Sequence, residues 1–240
     1  MAGVRLDRIL SKSGFGSRKD VKKLVADRRV TVKGVVATDS GMKAEDSDVL
    51  VDGKSILYEE FIYIIMNKPQ GVISSTEKGR TKTVIDLLPP ELAKYEPFPV
   101  GRLDIDTEGF LLITNDGPLA HNLLSPKKHV DKTYYARISG CVTEADIKKF
   151  EEGLDIGEDK PTLPAKLEIL SVSEAENTSE IKVTIREGKF HQVKRMFVAV
   201  GKEVTYLKRL SMGSMTLPED LKCGEFIKVD ASYVQNAQNF

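Results

Sequence analysis

One stretch constrains this chain more than any other: Pro99-Val100-Gly101-Arg102-Leu103-Asp104-Ile105-Asp106-Thr107-Glu108-Gly109-Phe110-Leu111-Leu112-Ile113-Thr114-Asn115-Asp116-Gly117. It opens as a charged loop pinned between Gly101 and Gly109 and runs straight into the apolar run Phe110-Leu111-Leu112-Ile113. A short continuous apolar run bounded by turn residues reads as a strand buried on both faces. The loop therefore stands on rigid scaffolding at the edge of a core. There, partial desolvation and a neighbouring positive charge tune a carboxylate.

The rest of the second half repeats the theme. Strand-like runs occur at 61–66, 72–75, 110–114, 133–138, 165–172, 180–186 and 203–210, and helical patterns at 117–124, at 143–153 with Thr143 as N-cap, and at 190–200. Strands joined by short turns, with helices interspersed irregularly, predict an α+β domain around a mixed, largely antiparallel sheet.

The front segment is built differently. Ser17 followed by Asp20 reads as a capping box, and Val21, Leu24 and Val25 share one face of the helix it starts. Val30-Thr31-Val32-Lys33-Gly34, then residues 35–40 and 48–54, read as short strands around glycine turns. A small helix-turn-helix plus strands fills residues 3 to about 57, and Tyr58-Glu59-Glu60 reads as a linker. The expected division is a front domain at 1–59 and a second at 60–240, which a 240-residue chain accommodates.

Net charge is zero, but its distribution is lopsided. Residues 1–34 hold ten basic against three acidic residues, residues 35–60 hold seven acidic against two lysines, and residues 182–209 hold eight basic against two acidic. Two basic zones of this kind suit a polyanionic partner. On the helix that Ser17 starts, Arg18, Lys19, Lys22 and Lys23 share the polar face beside free N-terminal amides, a combination that suits phosphate. Cys141 and Cys223 are far apart and without CxxC spacing, and His121, His129 and His191 show no metal-ligand spacing. Neither a signal peptide nor a membrane-spanning run is expected, so the reading is a cytoplasmic protein with no membrane partner. No P-loop and no G-x-G-x-x-G turn is present.

Residue chemistry alone leaves Asp104, Asp106 and Glu108 equivalent, and a metal held by the three carboxylates stays open. On the same footing, Glu187-Gly188-Lys189-Phe190-His191-Gln192-Val193-Lys194-Arg195-Met196-Phe197 reads as a basic helix start for phosphate.

Two resemblances resolve this. Arg5-Leu6-Asp7-Arg8-Ile9-Leu10, Gly16-Ser17-Arg18, the helix up to Arg29 and the strand 30–34 resemble the S4 RNA-binding module, with Lys33 where Asn is commoner. The RNA-binding residues this implies are Arg5, Arg8, Lys12, Ser17, Arg18, Lys19, Lys22 and Lys23. The stretch 101–117 resembles the signature of RsuA-type pseudouridine synthases, the RsuA, RluB, RluE and RluF family, with Phe110 where leucine is commoner. That resemblance implies Asp104 as the catalytic carboxylate, which adds to the sugar or base or assists base departure. It implies Tyr134 of Lys132-Thr133-Tyr134 as the residue stacking on the base, and Tyr135 then reads as a core aromatic. Lys194 is implied as the basic partner of Asp104, with Arg195 the second candidate and an RNA contact, and Arg102 as the residue filling the gap left by a flipped base. The implied reaction breaks a glycosidic C–N bond, turns the base and joins C1′ to C5, so no cofactor and no metal is expected. The form of 191–197 resembles the RsuA branch, which implies small-subunit (16S) rRNA, free or in a partly assembled subunit; a monomer is expected. The alternatives are a synthase for 23S rRNA and a non-catalytic S4-type RNA-binding assembly factor.

Overall fold

A computed structural model describes residues 3–56, 58–77 and 79–235. The chain divides into two compact units, one of residues 1–62 with 89–96 and the other of 63–88 with 97–240.

The first unit begins with helices α1 (Leu6–Lys12) and α2 (Arg18–Ala26). Ser17 caps α2 in a reciprocal box: its amide donates to Asp20 Oδ2 at 2.8 Å while its side chain accepts from the Asp20 amide. Strands β1 (Val30–Val32) and β2 (Val49–Val51) pair antiparallel, and each continues through a tight turn into a two-residue strand. Both turns place two successive residues at positive φ, Lys33 and Gly34 at 52° and 79°, Asp52 and Gly53 at 51° and 76°. That is the hairpin turn whose twist matches flanking strands, so Lys33 occupies a left-handed position that Asn usually fills. Leu6, Ile9, Leu10, Val21, Val30 and Val49 are fully buried between helices and strands.

The second unit is built on one mixed sheet. Its long strands are β3 (Tyr63–Lys68), β4 (Glu108–Thr114), β5 (Lys132–Ser139), β6 (Lys166–Ser173), β7 (Thr178–Ile185), β8 (Glu203–Met212) and the short β9 (Phe226–Val229). They lie in the order β6-β7-β5-β8-β4-β3-β9, antiparallel throughout except where β8 meets β4. β3 is buried along its whole length and β4 from Gly109 onward, as the apolar run demands, whereas β5 and β7 alternate. Helix α3 (Gly117–Leu124), capped by Asp116, packs Leu119, Ala120 and Leu123 against Ile65, Phe110 and Leu112. Helices α4 (Glu144–Glu152) and α5 (Gln192–Ala199) meet through Phe150 and Phe197, whose ring centroids are 5.0 Å apart. Among the described residues no helix is long and apolar enough to cross a membrane.

The one parallel pairing, Lys208 with Glu108 and Arg209 with Gly109, sets the site. Gly109 has φ +104°, and a Cβ there would lie 2.2 Å from the Arg209 carbonyl oxygen. Only glycine permits that approach. The charged loop is thereby fixed at the point where β4 meets β8.

Three expectations need correction. Residues 72–75 form no strand but an isolated bridge from Ile73 to Thr83, because no neighbouring strand continues the ladder. The helix expected from 190 starts at Gln192, since His191 stands at φ 48°, outside helical geometry. Tyr135 is half-buried rather than a core aromatic, packed edge-on against Tyr206. Strand β9 was not anticipated: Phe226-Ile227-Lys228-Val229 has strand-forming residues but only four of them.

Candidate active site

The second unit carries a cleft of about 460 Å³. Its walls come from the loop after Gly101, from Lys132 and Tyr134 on β5, from residues 185–194, and from Leu207 and Arg209 on β8.

The Asp104 loop is held rigidly from beneath. The amide of Thr107 donates to the Asp104 carbonyl at 3.1 Å, closing a turn. Ser74 Oγ donates to the Leu103 carbonyl at 3.2 Å and accepts from the Leu103 amide at 3.1 Å, and the Gly71 amide reaches the Ile105 carbonyl at 2.8 Å. Lys68, the last residue of β3, is fully buried, and its ammonium donates to the carbonyls of Pro69, Asp104 and Thr107 at 3.0, 3.0 and 2.9 Å. Burial lowers the Lys68 pKa to about 8 against the raising effect of Asp104. Sequence reasoning missed this residue, because a lysine in a strand reads as an exposed position.

The turn separates the three carboxylates that the sequence left equivalent. Glu108 accepts from the Tyr206 hydroxyl at 2.7 Å, and burial together with that carboxylate raises the Tyr206 pKa. Asp106 accepts from Lys194 Nζ at 2.6 Å, which pulls its own pKa down. Asp104 projects into the cleft with its side chain 28% exposed, Oδ2 lying 3.4 Å from Lys194 Nζ and Oδ1 3.6 Å from His191 Nε2. Lys194 thus serves two carboxylates and holds Asp106 the more closely. Among the described residues no group of three His, Cys, Asp or Glu is placed to hold a metal ion.

The loop before α5 has its own scaffold. Gln192 donates to Glu187 and accepts from the Lys189 amide, both at 2.9 Å, and Glu187 also takes the Leu163 amide at 2.9 Å. This scaffold turns His191 toward Asp104 and stacks its ring on Phe190, centroids 3.8 Å apart. The His191 approach to Asp104 was not foreseen either, since only the left-handed backbone at 191 produces it.

The remaining expected residues fall into two groups. Tyr134 is buried in the cleft wall and Arg102 is exposed at its edge. Arg195 is committed within the protein: it pairs with Glu158 at 2.6 Å, donates to the Phe190 carbonyl at 3.2 Å and to the Ile156 carbonyl. In the first unit Arg18, Lys19, Lys22 and Lys23 are exposed on α2, with Ser17 at its cap. Arg5 forms a two-point pair with Asp7, Arg8 pairs with Glu60 at 3.0 Å, and Lys12 reaches the Tyr95 carbonyl at 3.5 Å.

A loop-borne carboxylate, a buried tyrosine and a shared lysine around one cleft, in a sheet of this order, define a class that comparison with known proteins identifies. The family model for RNA pseudouridylate synthase matches residues 62–199, and that for the S4 domain matches residues 4–50. The chain belongs to the RNA pseudouridylate synthase family, whose members are isomerases. It is 52% identical over 93% of each chain to the uncharacterized RNA pseudouridine synthase YtzG of Bacillus subtilis. It is 41% identical to ribosomal large subunit pseudouridine synthase B of the same organism, over 85% of this chain and 84% of that one. To ribosomal small subunit pseudouridine synthase A of Vibrio cholerae it is 39% identical, over 93% and 94%. A crystal structure of a pseudouridylate synthase superposes with a TM-score of 0.68 at 32% identity, covering 98% of this chain and 99% of that one.

Proposed function

We propose that this chain isomerises a uridine of ribosomal RNA, with Asp104 as the catalytic carboxylate. The observation that carries the reading is the position of Asp104: half-buried, open to the cleft, within 3.4 Å of the Lys194 ammonium, and sharing that cleft with Tyr134. The C1′–N1 bond of uridine breaks, the base turns, and C1′ bonds to C5; C5 gives up a proton and N1 acquires one, so nothing is consumed. Asp104 supplies the negative charge at the ribose or base, and the Lys194 ammonium 3.4 Å away is its positive partner. Flipping the uridine from its stack costs a few kcal/mol, and stacking on Tyr134 returns about 1–3 kcal/mol. Arg102, exposed at the edge, fills the gap the base leaves. Exposed Arg18, Lys19, Lys22 and Lys23 bind phosphates of the same RNA.

For the substrate we take small-subunit (16S) rRNA, on the form of residues 191–197. The similarity to synthases named for each subunit makes 23S rRNA the competing substrate. The test incubates the protein with transcripts of both rRNAs and maps pseudouridine by base-specific chemical labelling. A site in 16S rRNA is expected. Asp104→Asn is expected to lower turnover by about 10⁴-fold, with RNA affinity within a few fold. An active Asp104→Asn variant ends the catalytic assignment; modification confined to 23S rRNA ends the small-subunit assignment.

A further inference from the structure

Arg209 is 2% exposed and forms part of the cleft wall, yet among the described residues no carboxylate pairs with it. Its Nε donates to the Phe110 carbonyl at 2.8 Å, while Nη2 is buried with no acceptor. A guanidinium has five N–H donors and accepts nothing. Glu187, the other carboxylate in the wall besides Asp104, is already taken by Gln192 and the Leu163 amide. Beside Arg209 stands a second cation, Lys132, tied to the Val130 carbonyl at 3.1 Å. Desolvation, then the charge of Arg209, lowers the Lys132 pKa to about 8. A buried donor left unpaired is costly, and one that lies in a cleft wall is open to completion by a bound ligand.

We infer that Arg209 is a specificity residue: its guanidinium donates to the C4 carbonyl oxygen of the bound uracil and so admits uracil while rejecting cytosine. This rests on the proposed function. The base enters tethered to RNA outside, so its sugar stays near partly exposed Asp104 and the edge farthest from the glycosidic bond meets the deepest wall. On uracil that edge bears the C4 oxygen, an acceptor; on cytosine it bears an amino group, which opposes a donor with a donor. The reaction itself adds a second reason. Turning the base about its N3–C6 axis exchanges N1 with C5 and the C4 oxygen with the C2 oxygen. A donor fixed at this position therefore faces a carbonyl before and after the turn, and holds the detached base in both orientations. Phosphate is the poorer match, because it lies with the backbone outside while Arg209 lies at the buried end.

The test titrates the full chain with uridine 5′-monophosphate, cytidine 5′-monophosphate and the 2-pyrimidinone ribonucleotide, which lacks the C4 oxygen. Uridine 5′-monophosphate should bind about ten- to hundredfold more tightly than either, the worth of a hydrogen bond to a charged group. Arg209→Gln, whose amide both donates and accepts, should bring uridine and cytidine nucleotides within about threefold of each other; melting curves establish that it is folded. A folded Arg209→Gln that keeps the full preference overturns the inference, as does equal weakening of both nucleotides, which a structural or phosphate-binding role would give. The unmutated protein provides an arm independent of folding: if it does not favour uridine 5′-monophosphate over the 2-pyrimidinone analogue, the inference is wrong. Pseudouridine formation is measured alongside, so a protein that makes pseudouridine but shows no preference refutes this inference alone, and one that makes none refutes the functional reading.

Discussion

Replacing Lys68 by methionine removes the post beneath the Asp104 loop. Two opposed terms set the outcome. The drop in the Lys68 pKa from 10.5 to about 8 means that its charged form costs the folded state about 3 kcal/mol at 1.36 kcal/mol per unit. Methionine escapes that cost. It also strands the carbonyls of Pro69, Asp104 and Thr107, each losing a donor now at 3.0 Å or less, at about 1–3 kcal/mol per buried group. The stranded carbonyls win, and the net loss of about 3 kcal/mol lowers the melting temperature by about 6–12 °C in a chain of this size. Turnover below the melt falls by about ten- to a hundredfold, because the loop bearing Asp104 loses its register. Calorimetry and tritium release from 5-labelled uridine in rRNA read the two effects. A variant that melts with the parent, or keeps full turnover, refutes the reasoning. The pH dependence is a second signature. The folded pKa lies below the unfolded one, so between about pH 8 and 10.5 the unfolded chain binds more protons and this residue's contribution to stability rises with pH. Turnover should fall through about pH 8, because a neutral amine has two donors for three carbonyls.

Asp106→Asn should cost a few fold in turnover, since it only loosens Lys194, whereas Lys194→Met should cost about 10²-fold or more by leaving Asp104 without its ammonium; the reverse order in steady-state assays would reassign the carboxylates. Reversing Arg18, Lys19, Lys22 and Lys23 to glutamate should flatten the slope of log affinity against log salt by about 3 if all four contact phosphates, and an unchanged slope removes α2 from the RNA interface. Tyr134→Phe should keep most activity and Tyr134→Ala lose about ten- to a hundredfold, in line with stacking; equal losses would point to the hydroxyl. Gly109→Ala should melt well below the parent or fail to fold, because its Cβ meets the Arg209 carbonyl oxygen, and an unperturbed melt would show that β4 and β8 do not approach as described.

Local chemistry was legible in the sequence. The Ser17–Asp20 box, the Thr143 start of α4, and the buried run of β4 are each written in neighbouring residues, and the fold supplies the expected geometry. What failed depends on distant partners. Residues 72–75 have strand composition but find one bridge only, whereas Phe226–Val229, equally short, becomes a strand because β3 offers it an open edge. Lys68 and Arg209 were illegible for a related reason. Composition places both outside, and they are buried because backbone carbonyls 36 to 99 residues away in sequence receive their donors.

The same distinction explains the three carboxylates. Asp104, Asp106 and Glu108 alternate along the sequence, and nothing in that spacing ranks them. The turn closed from Thr107 to Asp104 breaks the alternation: Glu108 enters β4 and meets Tyr206, Asp106 points outward to Lys194 at 2.6 Å, and Asp104 faces the cleft. A carboxylate held in a short charge-assisted hydrogen bond is committed to that partner. Asp106 is in that state, and Glu108 already accepts a hydroxyl. Asp104 has looser contacts than Asp106, at 3.4 and 3.6 Å to groups on a separate helix and loop against 2.6 Å, while its carbonyl accepts from both the Lys68 ammonium and the Thr107 amide. A rigid main chain beneath a lightly engaged carboxylate is what a reacting group needs: its position is set before substrate arrives, and little has to be broken when it acts. By that criterion Asp106 acts as the clamp on Lys194, and Asp104 is the carboxylate we propose to meet the ribose or the base.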